Sequence, residues 1–130
     1  MVLCRVMLFN SYSTGSVTAS SSGLDGGFIG SLVEGSISNS FWDTETSSYT
    51  NSPGRNETES TGATGKSSQE MKTKSTFTDA DWNFDKVWQI KEPQSGHISY
   101  PYLQSNPQDP APGLIDAPFN ITTSSPASIK

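Results

Sequence analysis

Apolar positions come in short pieces along this chain, and their spacing points to strands. Val2, Leu3, Val6, Leu8 and Phe9 form a strand-like run that Asn10-Ser11 breaks. Over residues 10–48 glycines punctuate segments rich in β-branched and aromatic residues, among them Ser16-Val17-Thr18, Gly27-Phe28-Ile29-Gly30, Leu32-Val33 and Ser36-Ile37-Ser38. Each is too short for a helix with a buried stripe. The pieces also repeat: Leu8-Phe9-Asn10-Ser11-Tyr12 returns 29 residues later as Ile37-Ser38-Asn39-Ser40-Phe41. A fixed period of roughly 20–50 residues marks stacked coils, because one coil cannot bury its apolar face alone. Stacking predicts inward ladders of Leu8 on Ile37 and Tyr12 on Phe41, with an amide ladder of Asn10 on Asn39. Two unrelated strands sharing an Asn-Ser turn would produce the same match.

Residues 47–64 hold no apolar side chain except Tyr49 and Ala63 and contain Asn51-Ser52-Pro53-Gly54, which predicts a surface loop. Ser67-Ser68-Gln69-Glu70 then reads as a capping box opening a helix of about two turns over 68–74, with Lys72 and Lys74 near its negative end. Past it, Phe77, Trp82, Phe84, Val87, Trp88, Ile90, Tyr100, Tyr102 and Leu103 make the densest apolar stretch. It is expected to form a cap over the open end of the stack, with Trp82, Phe84, Val87, Trp88 and Ile90 largely buried. From Gln104 onward fall five of the eight prolines, which predicts a semi-stiff extended linker or the start of a truncated further domain.

Composition narrows the function classes. The 130 residues are 32% hydrophobic and only 16% charged, against a usual charged share of about 25%. Ser and Thr number 23 and 13, so solubility rests on hydroxyls. A net charge of −5 argues against nucleic acid, whose phosphates require clustered cations. No apolar run approaches the roughly 18 residues of a membrane span, and Arg5 interrupts the apolar start before a signal-peptide core can form. The single cysteine, Cys4, excludes an internal disulfide and a multi-cysteine zinc site.

Three segments together resemble a known repeat: Asn10-Ser11-Tyr12-Ser13-Thr14-Gly15-Ser16-Val17, Asp25-Gly26-Gly27-Phe28-Ile29-Gly30, and Gly35-Ser36-Ile37-Ser38-Asn39-Ser40-Phe41-Trp42. Their order and spacing resemble the GLUG repeat of bacterial and archaeal surface proteins. The continuation is similar to the segment that often closes such arrays, in Trp42-Asp43-Thr44-Glu45-Thr46-Ser47, Glu70-Met71-Lys72, Ser75-Thr76-Phe77, Trp82-Asn83-Phe84, Val87-Trp88-Gln89-Ile90 and Tyr100-Pro101-Tyr102-Leu103. The resemblance covers residues 10–103. It implies a β-solenoid or β-helix-like stack in a large, exported protein, often adhesive or carried beside surface enzymes. This chain holds one complete repeat and a fragment of another.

Candidate chemistry is sparse. Gly62-Ala63-Thr64-Gly65-Lys66-Ser67 suggests a phosphate loop, but Ser60 stands where the pattern needs glycine, so a glycine turn before a capped helix is the better account. Asp79, Asp81, Asn83 and Asp85 alternate as in the first half of a calcium loop. Phe84 and Ile90 occupy the places of its glycine and closing glutamate, so a half-buried strand with a wet carboxylate face fits better. Asp43 and Glu45 would share a strand face, yet without a cleft they read as a solvated turn rather than a glycosidase pair. His97 lies in a turn with no second histidine or cysteine nearby, and Cys4 reads as a small core residue or an odd surface thiol. Asn56-Glu57-Thr58 and Asn120-Ile121-Thr122 match the glycosylation acceptor, with neither expected to be used. No catalytic, cofactor or metal site is expected.

The sequence therefore predicts an all-β chain, a β-solenoid or β-helix-like repeat fragment with a short helix and an aromatic-rich C-terminal cap. Residues 1–48 would be the repeat coils, 49–103 the loop, short helix and cap, and 104–130 the linker. The expected role is a non-catalytic structural or adhesive module of an exported cell-surface protein, located outside the cell or on its surface. The rival is an accessory module of a surface peptidase or polysaccharide-active enzyme whose catalytic domain lies outside this chain. Expected partners are other repeats of the same array, or surface ligands of protein or glycan nature. Self-association or fraying is expected through the N-terminal edge, residues 1–12, where an open stack leaves strand backbone unpaired.

Overall fold

A computed structural model describes residues 6–18, 25–32, 35–50, 53–56 and 62–118. The described chain is mainly β, built from short strands with a few short helices and no closed barrel. Strands β1 (Val6–Phe9), β2 (Tyr12–Ser13), β3 (Ile29–Leu32), β4 (Gly35–Ser38) and β5 (Ser40–Asp43) lead into the single-turn helix α1 (Thr44–Ser47). Two further strands follow, β6 (Pro53–Asn56) and β7 (Ala63–Lys66). The loop expected over 47–64 thus carries the last residue of α1, all of β6 and the start of β7.

These strands pair in parallel. β1 lies on β4 with Val6 opposite Gly35 and Leu8 opposite Ile37, and β2 lies on β5 with Tyr12 opposite Phe41. Both registers have the 29-residue offset of the sequence repeat. β7 extends the second sheet, placing Thr64 beside Phe41 and Gly65 beside Trp42, and β6 pairs with β3. The expected glycine turn at Gly65 is therefore strand. Its glycine is required by packing, since a Cβ there would stand 2.6 Å from Thr44 Cγ2 and 2.8 Å from Trp42 Cζ2.

Alternation assigns the faces. Ile37 points inward and is buried, whereas Ser36 and Ser38 are exposed, and so are their β1 neighbours Met7 (72%) and Phe9 (62%). Asn10 and Asn39 sit at equivalent corners with φ of 49° and 48°. Asparagine tolerates this left-handed backbone better than most residues, which accounts for its recurrence at both corners. Corner hydrogen bonds from Asn10 N to Ser38 O (3.3 Å) and from Phe41 N to Ser11 O (3.0 Å) link the layers.

All four residues of β5 are buried. A strand's alternate side chains point to opposite faces, so a second body must cover one face of β5. That body is the C-terminal segment: a 3-10 turn (Glu70–Lys72), α2 (Lys74–Thr78), and the antiparallel pairs of β8 (Trp88–Gln89) with β10 (Tyr102–Leu103) and of β9 (His97–Ile98) with β11 (Ile115–Asp116). Its core joins Met71, Phe77, Trp82, Ile90 and Tyr100 to Phe41 of the sheet, with Tyr12 packed alongside. Phe41 meets Phe77 edge-on at 5.3 Å between ring centres, and Trp82 lies 4.4 Å from Trp88. The aromatic segment thus docks on the flank of the β2–β5 sheet, whereas the sequence placed it over the open end. Tyr12 and Phe41 are paired as expected, but they face this segment and not inward.

Several local expectations need correction. Val87 is 42% exposed, and Phe84 and Trp88 are half-buried, while Trp82 and Ile90 are buried as expected. The capping box forms, with Ser67 N donating to Glu70 Oε2 (2.9 Å) and Glu70 N to Ser67 Oγ (3.2 Å). The helix it opens is only a 3-10 turn, and α2 restarts after extended Thr73. Residues 79–85 form turns and not a strand: Asp81 has φ 62°, and Asn83 Oδ1 accepts from the amides of Asp85 and Lys86. Residues 104–118 are no extended linker. Tyr100 N donates to Pro112 O (2.9 Å), Ala111 is buried, and β11 adds to β9.

Candidate functional site

The seam between sheet and aromatic segment is organised by one carboxylate. On β5, Phe41 and Asp43 share the outward face, so burial of the first drives burial of the second. Asp43 is fully buried and accepts four hydrogen bonds. Its Oδ1 takes the amides of Glu45 (2.9 Å) and Thr46 (3.1 Å), the N-cap pattern for α1. Its Oδ2 takes Ser68 Oγ (2.6 Å) and the Tyr100 hydroxyl (2.7 Å), groups 25 and 57 residues away. Burial alone would raise the Asp43 pKa, but the bonds from Ser68, Tyr100, Thr46 and Glu45 outweigh it, and the net effect is a lowered value. Burial, and then the bond to Asp43, push the Tyr100 phenol from 10.0 to about 12.

Further bonds close the same seam. Glu45 accepts from Ser68 N (2.6 Å), Trp82 Nε1 donates to Asn39 O (2.8 Å), and Tyr12 donates its hydroxyl hydrogen to Pro101 O (2.6 Å). A carboxylate offers about four lone-pair sites, and those of Asp43 are filled, which suits it to holding two bodies together and leaves none to take a substrate proton.

Sequence reasoning placed Asp43 in a solvated turn, and the structure overturns that. Only its capping role has a local signal, Asp followed by Thr-Glu-Thr, an N-cap pattern. Its second pair of donors, from Ser68 and Tyr100, is invisible without the fold. Glu45 is exposed and not paired with Asp43 about any cleft. Asp79, Asp81 and Asp85 are exposed, and among the described residues no three His, Cys, Asp or Glu side chains group to hold a metal. His97 stands on β9, exposed, 3.4 Å from Asp116 Oδ1. Lys66 ends β7, 3.9 Å from Glu70 Oε1. Cys4 and Asn120 lie outside the described residues, and Asn56 ends β6.

A second feature lies beside the seam. Between β7 and α2 a groove of about 470 Å³ opens, floored by Phe41 and bordered by Ser38, Asn39, Thr64, Ser75 and Asp79.

No family model matches the chain, and no solved structure matches it. Over 92 residues it is 36% identical to a "Putative Gly-rich membrane protein" of Evansella cellulosilytica. The match covers 68% of this chain and 10% of that protein, so the chain spans about a tenth of the relative's length. The relative is named as a membrane protein, which overturns the extracellular or cell-surface location expected from the sequence. Among the described residues no helix is long and apolar enough to cross a membrane.

Proposed function

We propose that this chain is a non-catalytic structural module of a larger membrane-associated protein, in which stacked GLUG-type β-coils are braced along one flank by the aromatic segment. The observation that carries this reading is the parallel, in-register pairing of residues 29 apart, Val6 on Gly35 through Tyr12 on Phe41. Equivalent corners, Asn10 and Asn39, share one backbone conformation, as repeated coils require. β7 adds a further layer whose sequence does not look like the first two, which is how a terminal repeat behaves. The Asp43 seam supports a bracing role, because it ties the coils to a body with its own aromatic core. The membrane association rests on the name of the Evansella relative alone.

In a stack, each added coil contributes its own interface with the next, so stability rises stepwise with coil number. The test is to insert a second copy of residues 6–34, one full period, between Arg5 and Val6. A higher melting temperature, more β signal in far-ultraviolet circular dichroism and unchanged aromatic near-ultraviolet signal are expected. An inserted copy that is readily proteolysed, with the melting temperature unmoved, would defeat the stacking proposal.

A further inference from the structure

The groove beside β7 has an origin that can be read from the ladder. Tyr12 and Phe41 fill the space between sheet and aromatic segment, but the third position of the same ladder is Thr64, too short to reach α2. What remains is a cleft of about 470 Å³, within the range of small-molecule sites of about 300–1,000 Å³. Phe41 and Ala80 give it apolar surface. Ser38, Asn39, Thr64, Ser75 and Asp79 border it with polar side chains that have no hydrogen-bond partner among the described residues. Ser40 and Thr76 also line it, but their hydroxyls are committed to Ser38 O (2.9 Å) and Glu70 O (2.7 Å).

The charges are one of each sign, Lys66 and Asp79. An anion would meet Asp79 and a cation Lys66, while an apolar ligand would strip water from five polar groups and return no hydrogen bonds. A ring carrying several hydroxyls satisfies all of them, because each hydroxyl both donates and accepts and can therefore pair with a carboxylate, an amide, a hydroxyl or an ammonium group. Beyond the groove's border, the strand next to Ser38 carries an exposed ring. Phe9 is in register with Ser38 across β1 and β4, on the same outward face, and its ring is 62% exposed. Phe41 and Ala80 within the groove, beside its polar border, suit a molecule with one apolar and one polar face.

We infer that this groove binds a neutral saccharide, with Asp79, Asn39, Ser75 and Thr64 bonding its hydroxyls. The inference goes beyond the structural reading above, because stacked coils and a docked flank do not require an occupied groove.

The test uses the whole chain, isotopically labelled, titrated by nuclear magnetic resonance with maltotriose, cellotriose and chitotriose separately, each to about 10 mM, well above a millimolar Kd. At least one should give saturable shifts centred on the amides of Ser38, Asn39, Thr64, Ser75 and Asp79. Asp79→Ala and the groove-filling Thr64→Phe should each weaken that binding about tenfold or more, with melting temperatures near wild type. If either variant fails to fold, Asn39→Gly, which keeps the left-handed corner, and Ser75→Ala supply the same comparison from the exposed rim. The inference is overturned by any of three results: no saturable shift with all three sugars, shifts that map elsewhere, or undiminished binding in the variants. Groove shifts that follow protein concentration without sugar would also overturn it, since they would identify the occupant as a strand of a second copy on the edge of β7 that has no partner among the described residues.

Discussion

Removing the Asp43 carboxylate should be the most damaging single polar change in this protein. Asp43→Ala deletes an N-cap, worth about 0.5–2 kcal/mol. It also leaves Ser68 Oγ and the Tyr100 hydroxyl without their acceptor, at about 1–3 kcal/mol for each buried group left unsatisfied. Ser68 is only half-buried and can recover water, so its share falls at the low end. A loss of about 3–5 kcal/mol follows, close to what breaking a buried charged network costs in other proteins. If Asp43→Ala does not fold, Asp43→Asn tests the same argument. Its amide nitrogen donates and cannot accept, so it can serve either the backbone pair or the Ser68–Tyr100 pair but not both. Urea denaturation of wild type, Asp43→Asn, Tyr100→Phe and the double variant forms a cycle in which the coupling energy should exceed about 1 kcal/mol. The pH dependence has a definite sign. A lowered Asp43 pKa gives stability that is present above the ordinary carboxylate value of about 3.9 and is lost as pH falls through the folded value. A raised Tyr100 pKa gives stability that is present below 10.0 and is lost as pH rises through about 12. The gap between wild type and Asp43→Asn should therefore be widest and flat between these limits, narrowing on both sides. Additive losses in the cycle, or a gap that stays constant into acid, would refute the seam.

Three further outcomes follow from burial and packing. Trp82→Ala should lose about 3–5 kcal/mol, whereas Val87→Ala, at an exposed position, should stay within about 0.5 kcal/mol of wild type; equal losses in chemical denaturation would contradict the assigned core. Gly65→Val should lower the melting temperature by overpacking against Thr44 and Trp42, about 1–3 kcal/mol, and a melt like wild type would mean that the interior has room not seen here. Met7→Ser combined with Phe9→Ser should reduce any self-association measured by sedimentation velocity, and an unchanged distribution would locate the contact elsewhere.

The strands of the repeat and the pairing of its equivalent residues were legible in the sequence because each is local or periodic, whereas the left-handed backbone at Asn10 and Asn39 was seen only in the structure. Leu8 and Ile37, Tyr12 and Phe41, Asn10 and Asn39 recur at one interval, and parallel pairing of the strands converts that interval into register. The capping box at Ser67 and Glu70 was legible for the same reason, since its two partners lie three residues apart. The length of the helix behind it was not, because Phe77 is drawn into the aromatic core and the chain breaks at Thr73 to deliver it. β6 and β7 were hidden because their residues are polar and poor in strand formers; they are strands because β3 and β5 offer them an edge. Burial of Asp43 was decided entirely by tertiary structure. Its pattern, a carboxylate in a polar turn, fits solvent exposure equally well. Only the docking of a segment more than 50 residues away excludes water there and supplies the donors that make a buried charge tolerable.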